Sequence, residues 1–122
     1  SLTTPPSNQR DFEPRARVVS FDTALRVVSD TNSTAIQLGN FGVLDVQYVV
    51  VANEGSTPFT MTIQYSNDGT NWVTGVTLFP NSTSTAASTS MTRTHNFGAY
   101  TRLAIDTTNS TPLTLTLNAL AR

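Results

Sequence analysis

The segment FTMTIQY, residues 59–65, alternates large apolar side chains with polar ones and decides the fold class. The apolar positions are Phe59, Met61, Ile63 and Tyr65, and the polar positions are Thr60, Thr62 and Gln64. A period of two places each set on one face of a β-strand. The segment therefore predicts a strand with one face in a core and the other in solvent.

The same alternation recurs on both sides of this segment. It is clear in residues 101–106 and 113–118, and weaker in residues 15–21, 24–29, 34–38, 72–79 and 90–95. Threonine, which suits a pleated strand, occurs 22 times, whereas the helix former glutamate occurs only at Glu13 and Glu54. Short alternating strands at this spacing predict an all-β fold, an antiparallel β-sandwich or jelly roll.

The segment from Leu44 to Ala52 departs from simple alternation. Its even-numbered residues form one apolar face, but Val49 and Val51 make the opposite face apolar as well. A sandwich strand normally has one wet face. Either a loop or the N-terminal segment covers Val49 and Val51, or they form the contact of a homo-oligomer. The sequence leaves both explanations open.

Length and charge limit the classes of function. A chain of 122 residues is expected to form one domain, and its net charge of -1 gives no reason to expect a nucleic acid or an anionic membrane as partner. The chain has no cysteine, and no apolar run approaches the length of a membrane span. All seven basic residues are arginine, whose planar group suits carboxylate pairing across an interface.

The segment YSNDGTNW, residues 65–72, is the most distinctive loop sequence. Asp68 and Gly69 tolerate the positive φ angles of a hairpin turn, so we interpret them as structural turn residues and expect Trp72 in the core. The alternative is a polar and aromatic sugar site. Its members would be Asn67, Asp68, Asn71 and Trp72.

Residues that carry chemistry elsewhere in the chain form no motif. His95 is the only histidine, and no nucleophile motif places a serine beside it. Asp45 and Asp106 are candidates for an acid–base pair, but strand carboxylates on a solvent face are the commoner case. No calcium-loop pattern is present around Asp30 or Asp68. We therefore expect no enzyme activity, no cofactor and no metal site.

The N-terminal segment differs in composition from the rest. Residues 1–14 contain three prolines and no strand pattern, which predicts an extended arm followed by a β-domain at residues 15–122. Eight of the fifteen charged residues lie between Arg10 and Asp30. We expect the arm to contact a partner or to pack on its own domain. The candidate contact residues are Arg10, Asp11, Glu13, Arg15 and Arg17.

Three segments together resemble small structural proteins of tailed bacteriophages. They are QYSNDGTNW at residues 64–72, YTRLAI at residues 100–105 and LTLTLNALAR at residues 113–122. Many proteins of this class decorate, or cement, the capsid. The resemblance implies a virion structural protein on the outer capsid surface, made in the host cytoplasm, that binds the major capsid protein. It also implies a homo-oligomer, with a trimer favoured over a dimer, and no catalytic residue.

Two alternatives to the decoration role stay open at this point. One is a carbohydrate-binding β-sandwich module, which would use the loop at residues 65–72. The other is a tail or adaptor component of the same particle.

Overall fold

The computed structural model describes residues 16–82, 85–107 and 111–122. Within these ranges the chain forms nine β-strands and no helix. The strands are β1 (Arg17–Val27), β2 (Thr31–Asn32), β3 (Ile36–Gln37), β4 (Val43–Asn53), β5 (Phe59–Ser66), β6 (Val73–Ser82), β7 (Thr89–His95), β8 (Tyr100–Asp106) and β9 (Leu113–Ala121).

The strands form two antiparallel sheets. The first sheet has the order β1-β9-β4-β7. The second has the order β2-β8-β5-β6, with β3 also paired to β8. The apolar faces of both sheets contribute to a single hydrophobic core. The predicted all-β sandwich is confirmed.

The strands differ from the predicted ones mainly at the N-terminal end. Alternation at residues 15–21 and 24–29 predicts two strands, but β1 runs through both because register shifts after Ser20 and after Asp22 absorb the interruption. Ala24, inside this irregular part, has a φ of 56°. The strand predicted at residues 34–38 is reduced to the two residues of β3. The alternation of apolar and polar residues in a sequence does not show where a bulge will interrupt the pairing of a strand.

Strand β4 lies in the middle of the first sheet, between β7 and β9. Its even-numbered side chains from Leu44 to Val50 are buried in the core. On its other face, Val49 is partly buried opposite Thr89 and Thr116. Val51 is 50% exposed at a register shift between β4 and β9.

Aromatic side chains join the two sheets through the core. The ring of Tyr48, on β4, makes edge-on contacts with Phe59 on β5 and Phe79 on β6, at centroid distances of 5.1 and 4.8 Å. Edge-to-face pairs of this kind add to the energy of burial. This packing fixes how the two sheets lie against each other, and so sets where the loops meet at the ends of the sandwich.

Candidate functional site

The loop at residues 67–72 connects β5 to β6 and is organised by one carboxylate. Asp68 Oδ1 accepts hydrogen bonds from the Ser66 hydroxyl at 2.9 Å and from the N–H groups of Thr70 and Asn71 at 2.8 Å each. Asp68 Oδ2 accepts a further bond from Asn71 Nδ2 at 2.8 Å. The bonds from Asn71, then those from Thr70 and Ser66, hold the pKa of this carboxyl far below its usual range.

Gly69 supplies the one positive φ angle in this loop, 77°. A two-residue type I′ hairpin turn needs a positive φ at both of its central residues. The connection found here has six residues and needs a positive φ only at Gly69. The loop is held closed by hydrogen bonds from Thr70 and Asn71 to the Asp68 carboxylate. Ser66 adds to this, since its hydroxyl oxygen accepts the N–H groups of Asp68 and Gly69 at 3.2 and 2.9 Å.

An open groove of about 380 Å³ lies beside this loop. It is lined by Tyr65, Ser66, Asn67, Asp68, Asn71, Val73, Phe97 and Gly98. Phe97, in the loop between β7 and β8, is 75% exposed, and Val73 is 68% exposed. Exposed apolar side chains at the rim of a rigid loop are typical of contact surfaces.

The Phe97 ring is held in place by its neighbours. It meets the Tyr65 ring edge-on at 5.7 Å and the His95 ring at 5.7 Å. The Tyr65 hydroxyl donates to the His95 carbonyl at 2.5 Å. Gly98 is required here because a Cβ at that position would lie 2.8 Å from the Tyr65 Cβ. The loop after β7 is therefore packed tightly onto the end of β5.

Trp72 is not part of the core, contrary to the sequence interpretation. It is half-buried, and the Arg102 guanidinium carbon lies 4.1 Å from the centroid of its ring. Arg102 Nε also donates to Gln64 Oε1 at 2.7 Å. Trp72 is the last residue of the loop, just before β6, and its ring lies on the polar face of the second sheet, where it stacks on a cation.

Asp45, outside the loop, pairs with two arginines. Arg93 donates to it through Nε at 2.7 Å, and Arg122 also pairs with it. The hydrogen bond from Arg93 lowers the pKa of Asp45 despite the opposing effect of burial. Asp106 lies on β8 in the other sheet, so the two carboxylates considered as an acid–base pair are not brought together.

The other residues predicted from the sequence are placed as follows. Arg17 begins β1, and its guanidinium carbon lies 5.5 Å from the centroid of the Phe41 ring. Val49 and Val51 lie on β4, away from the groove. Arg10, Asp11, Glu13 and Arg15 lie outside the described residues.

Sequence reasoning missed Phe97 and the pairing of Asp45 with Arg93. The signal for Phe97 is an aromatic residue followed by glycine between two strands, in NFGAY at residues 96–100. The Asp45 pairing has no local signal because its partners are 48 and 77 residues away.

Among the described residues, no group of three or more histidine, aspartate or glutamate side chains is placed to hold a metal ion. The same residues include no helix with the length and hydropathy needed to cross a bilayer.

Comparison with known proteins relates the chain to one family. No curated protein matches it. A family model matches residues 40–121, about two thirds of the chain, and this range runs from just before β4 to the end of β9, including the groove. The chain belongs to the family described as a domain of unknown function, DUF6385.

Proposed function

We propose that the chain is a non-enzymatic structural protein of a tailed-phage particle. In this role it binds the outer surface of the capsid and stabilises it. The observation that carries the proposal is the groove beside Phe97, where an exposed aromatic ring is fixed next to a loop locked by Asp68. The resemblance of three sequence segments to phage structural proteins points to the kind of partner.

The groove has the properties of a protein contact. Aromatic anchors contribute much of the energy of protein interfaces, and Phe97 and Val73 both present apolar surface. The hydrogen bonds of the Asp68 loop mean that little backbone freedom is lost on binding. All four hydrogen bonds to the Asp68 carboxylate come from within its own loop and the adjoining Ser66, so the loop offers amide side chains rather than an unbonded charge to its partner.

We further propose that residues 1–14 act as a second contact. Arg17, the first residue of β1, stacks over the Phe41 ring, so the chain that precedes it leaves the β-domain from this point. A second contact on the same lattice would raise the effective concentration of the groove contact. Arginine and carboxylate groups of this segment would give specific pairs with neighbouring subunits. Those residues are Arg10, Asp11 and Glu13, and Arg15 directly follows them.

Co-sedimentation with empty shells, assembled from the major capsid protein of the same phage, tests this function. We expect the wild-type chain to move with the shells, and Phe97→Ser to bind at least about tenfold more weakly, because an anchor is lost. Val18→Ser is the matched control, since Val18 is similarly exposed, at 71%, but lies on β1. The function is wrong if the wild type stays at the top of the gradient. The groove assignment is wrong if both variants bind like the wild type.

A carbohydrate-binding module is the second candidate, favoured by the exposed Phe97 ring beside the amide side chains of Asn67 and Asn71. Such a site would differ from the one predicted from the sequence, because Trp72 stacks on Arg102 and Asp68 is bonded within its loop. A glycan array with the wild type and Phe97→Ser separates the two functions. Sugar binding that Phe97→Ser abolishes would favour this candidate over the capsid contact.

A further inference from the structure

Strand β7 has the most regular free edge among the described strands. It pairs with β4 from Thr89 to His95 without any register shift. At the other sheet borders, β1 has two register shifts, β6 has three, and β2 and β3 have two residues each. Proteins protect sheet edges from pairing with other chains by such bulges and short strands. The edge of β7 has no protection of this kind.

The direction of the backbone groups of β7 follows from its ladder with β4. The Val50 N–H donates to the Ser88 carbonyl at 2.8 Å, and the Asn96 N–H donates to the Gly42 carbonyl at 2.9 Å. Both bonds continue the register of the β4–β7 pair. Because alternate residues of an antiparallel strand direct their N–H and C=O groups to opposite sides, even-numbered residues face β4. The residues that face away are Thr89, Met91, Arg93 and His95.

One of these outward groups is already bonded. The His95 carbonyl accepts the Tyr65 hydroxyl. The backbone groups of Thr89, Met91 and Arg93 have no hydrogen-bond partner in the described part of the chain. These three residues are symmetric about Met91, so the free edge is complementary to a second copy of itself running in the opposite direction.

We infer that β7 is the dimer interface of this protein. Two copies pair their β7 strands antiparallel about a two-fold axis at Met91. Met91 then lies opposite Met91 of the second copy, and Thr89 lies opposite Arg93. The two four-stranded sheets become one continuous sheet. This inference does not rest on the proposed function, since it uses neither the groove nor the partner.

The side chains on this side of the sandwich fit the same arrangement. Met91 is 59% exposed and would contact its own copy across the axis. Val76, which is 57% exposed, lies on β6, the edge strand of the second sheet that contacts β7. A charge on an edge normally opposes pairing, but Arg93 is bonded to Asp45 at 2.7 Å, which compensates its charge. An interface of this symmetry closes at two copies, so it predicts a dimer and not the trimer that the resemblance implies.

Two variants of Met91 test both the interface and its register. In sedimentation of the full chain over a concentration series, we expect the wild type to form dimers. Met91→Glu alone and Met91→Lys alone should each weaken the dimer at least about tenfold, because like charges face each other. An equimolar mixture of the two variants should recover dimers, because opposite charges then meet at the axis. Recovery also shows that both variants fold.

Hydrogen exchange of the wild type gives a test that needs no variant. The amide protons of Met91 and Arg93 should exchange more slowly as the protein concentration rises, whereas those of the edge strand β1 should not change. A chain that stays monomeric up to about 1 mM, or forms trimers, would overturn the inference. So would a dimer without protection at β7. Tighter dimerisation of Met91→Glu would contradict the register. It would indicate that residue 91 faces Arg93 of the second copy and pairs with its charge.

Discussion

Asp68 shows how one residue can fix a loop. Its pKa is lowered in the folded chain from the ordinary value of 3.8, so it stabilises the fold fully above about pH 4. That contribution declines as the pH falls further, because the unfolded chain then binds a proton more readily than the folded chain. We expect Asp68→Asn to lower the urea midpoint at pH 7, and the difference from the wild type to shrink at pH 3.

Asp106→Asn is the control for this comparison. Asp106 is an exposed carboxylate at the end of β8, outside the loop. A loss of stability that is the same at pH 7 and pH 3 for Asp68→Asn would show that the hydrogen bonds to its carboxylate do not depend on its charge.

Gly69 is the second residue on which the loop depends. Its φ of 77° lies in the left-handed region, which a β-branched side chain resists. Gly69→Val should lower the free energy of unfolding by about 1 to 3 kcal/mol. Gly42→Val is the matched control because a Cβ there has no atom within 4 Å and the φ is not positive. Equal midpoints for the two variants in chemical denaturation would refute this role of Gly69.

At the scale of elements, the sequence predicts strands better than their irregularities. The alternation of residues 59–65, 101–106 and 113–118 identifies β5, β8 and β9, because each buries one face in the core. The joining of two predicted strands into β1 could not be predicted, since the shifts after Ser20 and Asp22 depend on pairing with β9. The candidate site was predicted only in part. The loop around Asp68 has a local signature, whereas the position of Phe97 depends on Tyr65, 32 residues earlier.

The ladder between β4 and β7 makes a prediction about proline. The Thr92 N–H faces β4, and the Met91 N–H faces away from it. Thr92→Pro should therefore lose a ladder hydrogen bond, leave its acceptor unpaired and destabilise the domain by about 1 to 3 kcal/mol. Met91→Pro should remain folded, because a proline is tolerated where the N–H of an edge strand points outward. Thermal unfolding followed by circular dichroism measures the midpoints of the two variants. Equal decreases in midpoint would contradict the direction assigned to the backbone N–H groups of β7.

For the whole molecule, we propose that residues 1–14 contact a partner and that the β-domain folds without them. Deleting residues 1–14 should leave the thermal midpoint almost unchanged, since the core described for residues 16–122 is built mainly from β1, β4, β5, β6, β8 and β9. The same deletion should weaken binding to capsid shells, measured by co-sedimentation. If the truncated protein unfolds, residues 1–14 are part of the folded domain. Unchanged shell binding would remove the segment from the interface.

We propose that this chain is a structural component of the outside of a phage capsid. Quantitative mass spectrometry of purified particles, with the major capsid protein as the internal reference, tests it most directly. We expect the chain at a fixed ratio to the capsid protein, and accessible to surface labelling on intact particles. Its absence from particles that retain their full set of capsid protein would contradict the claim.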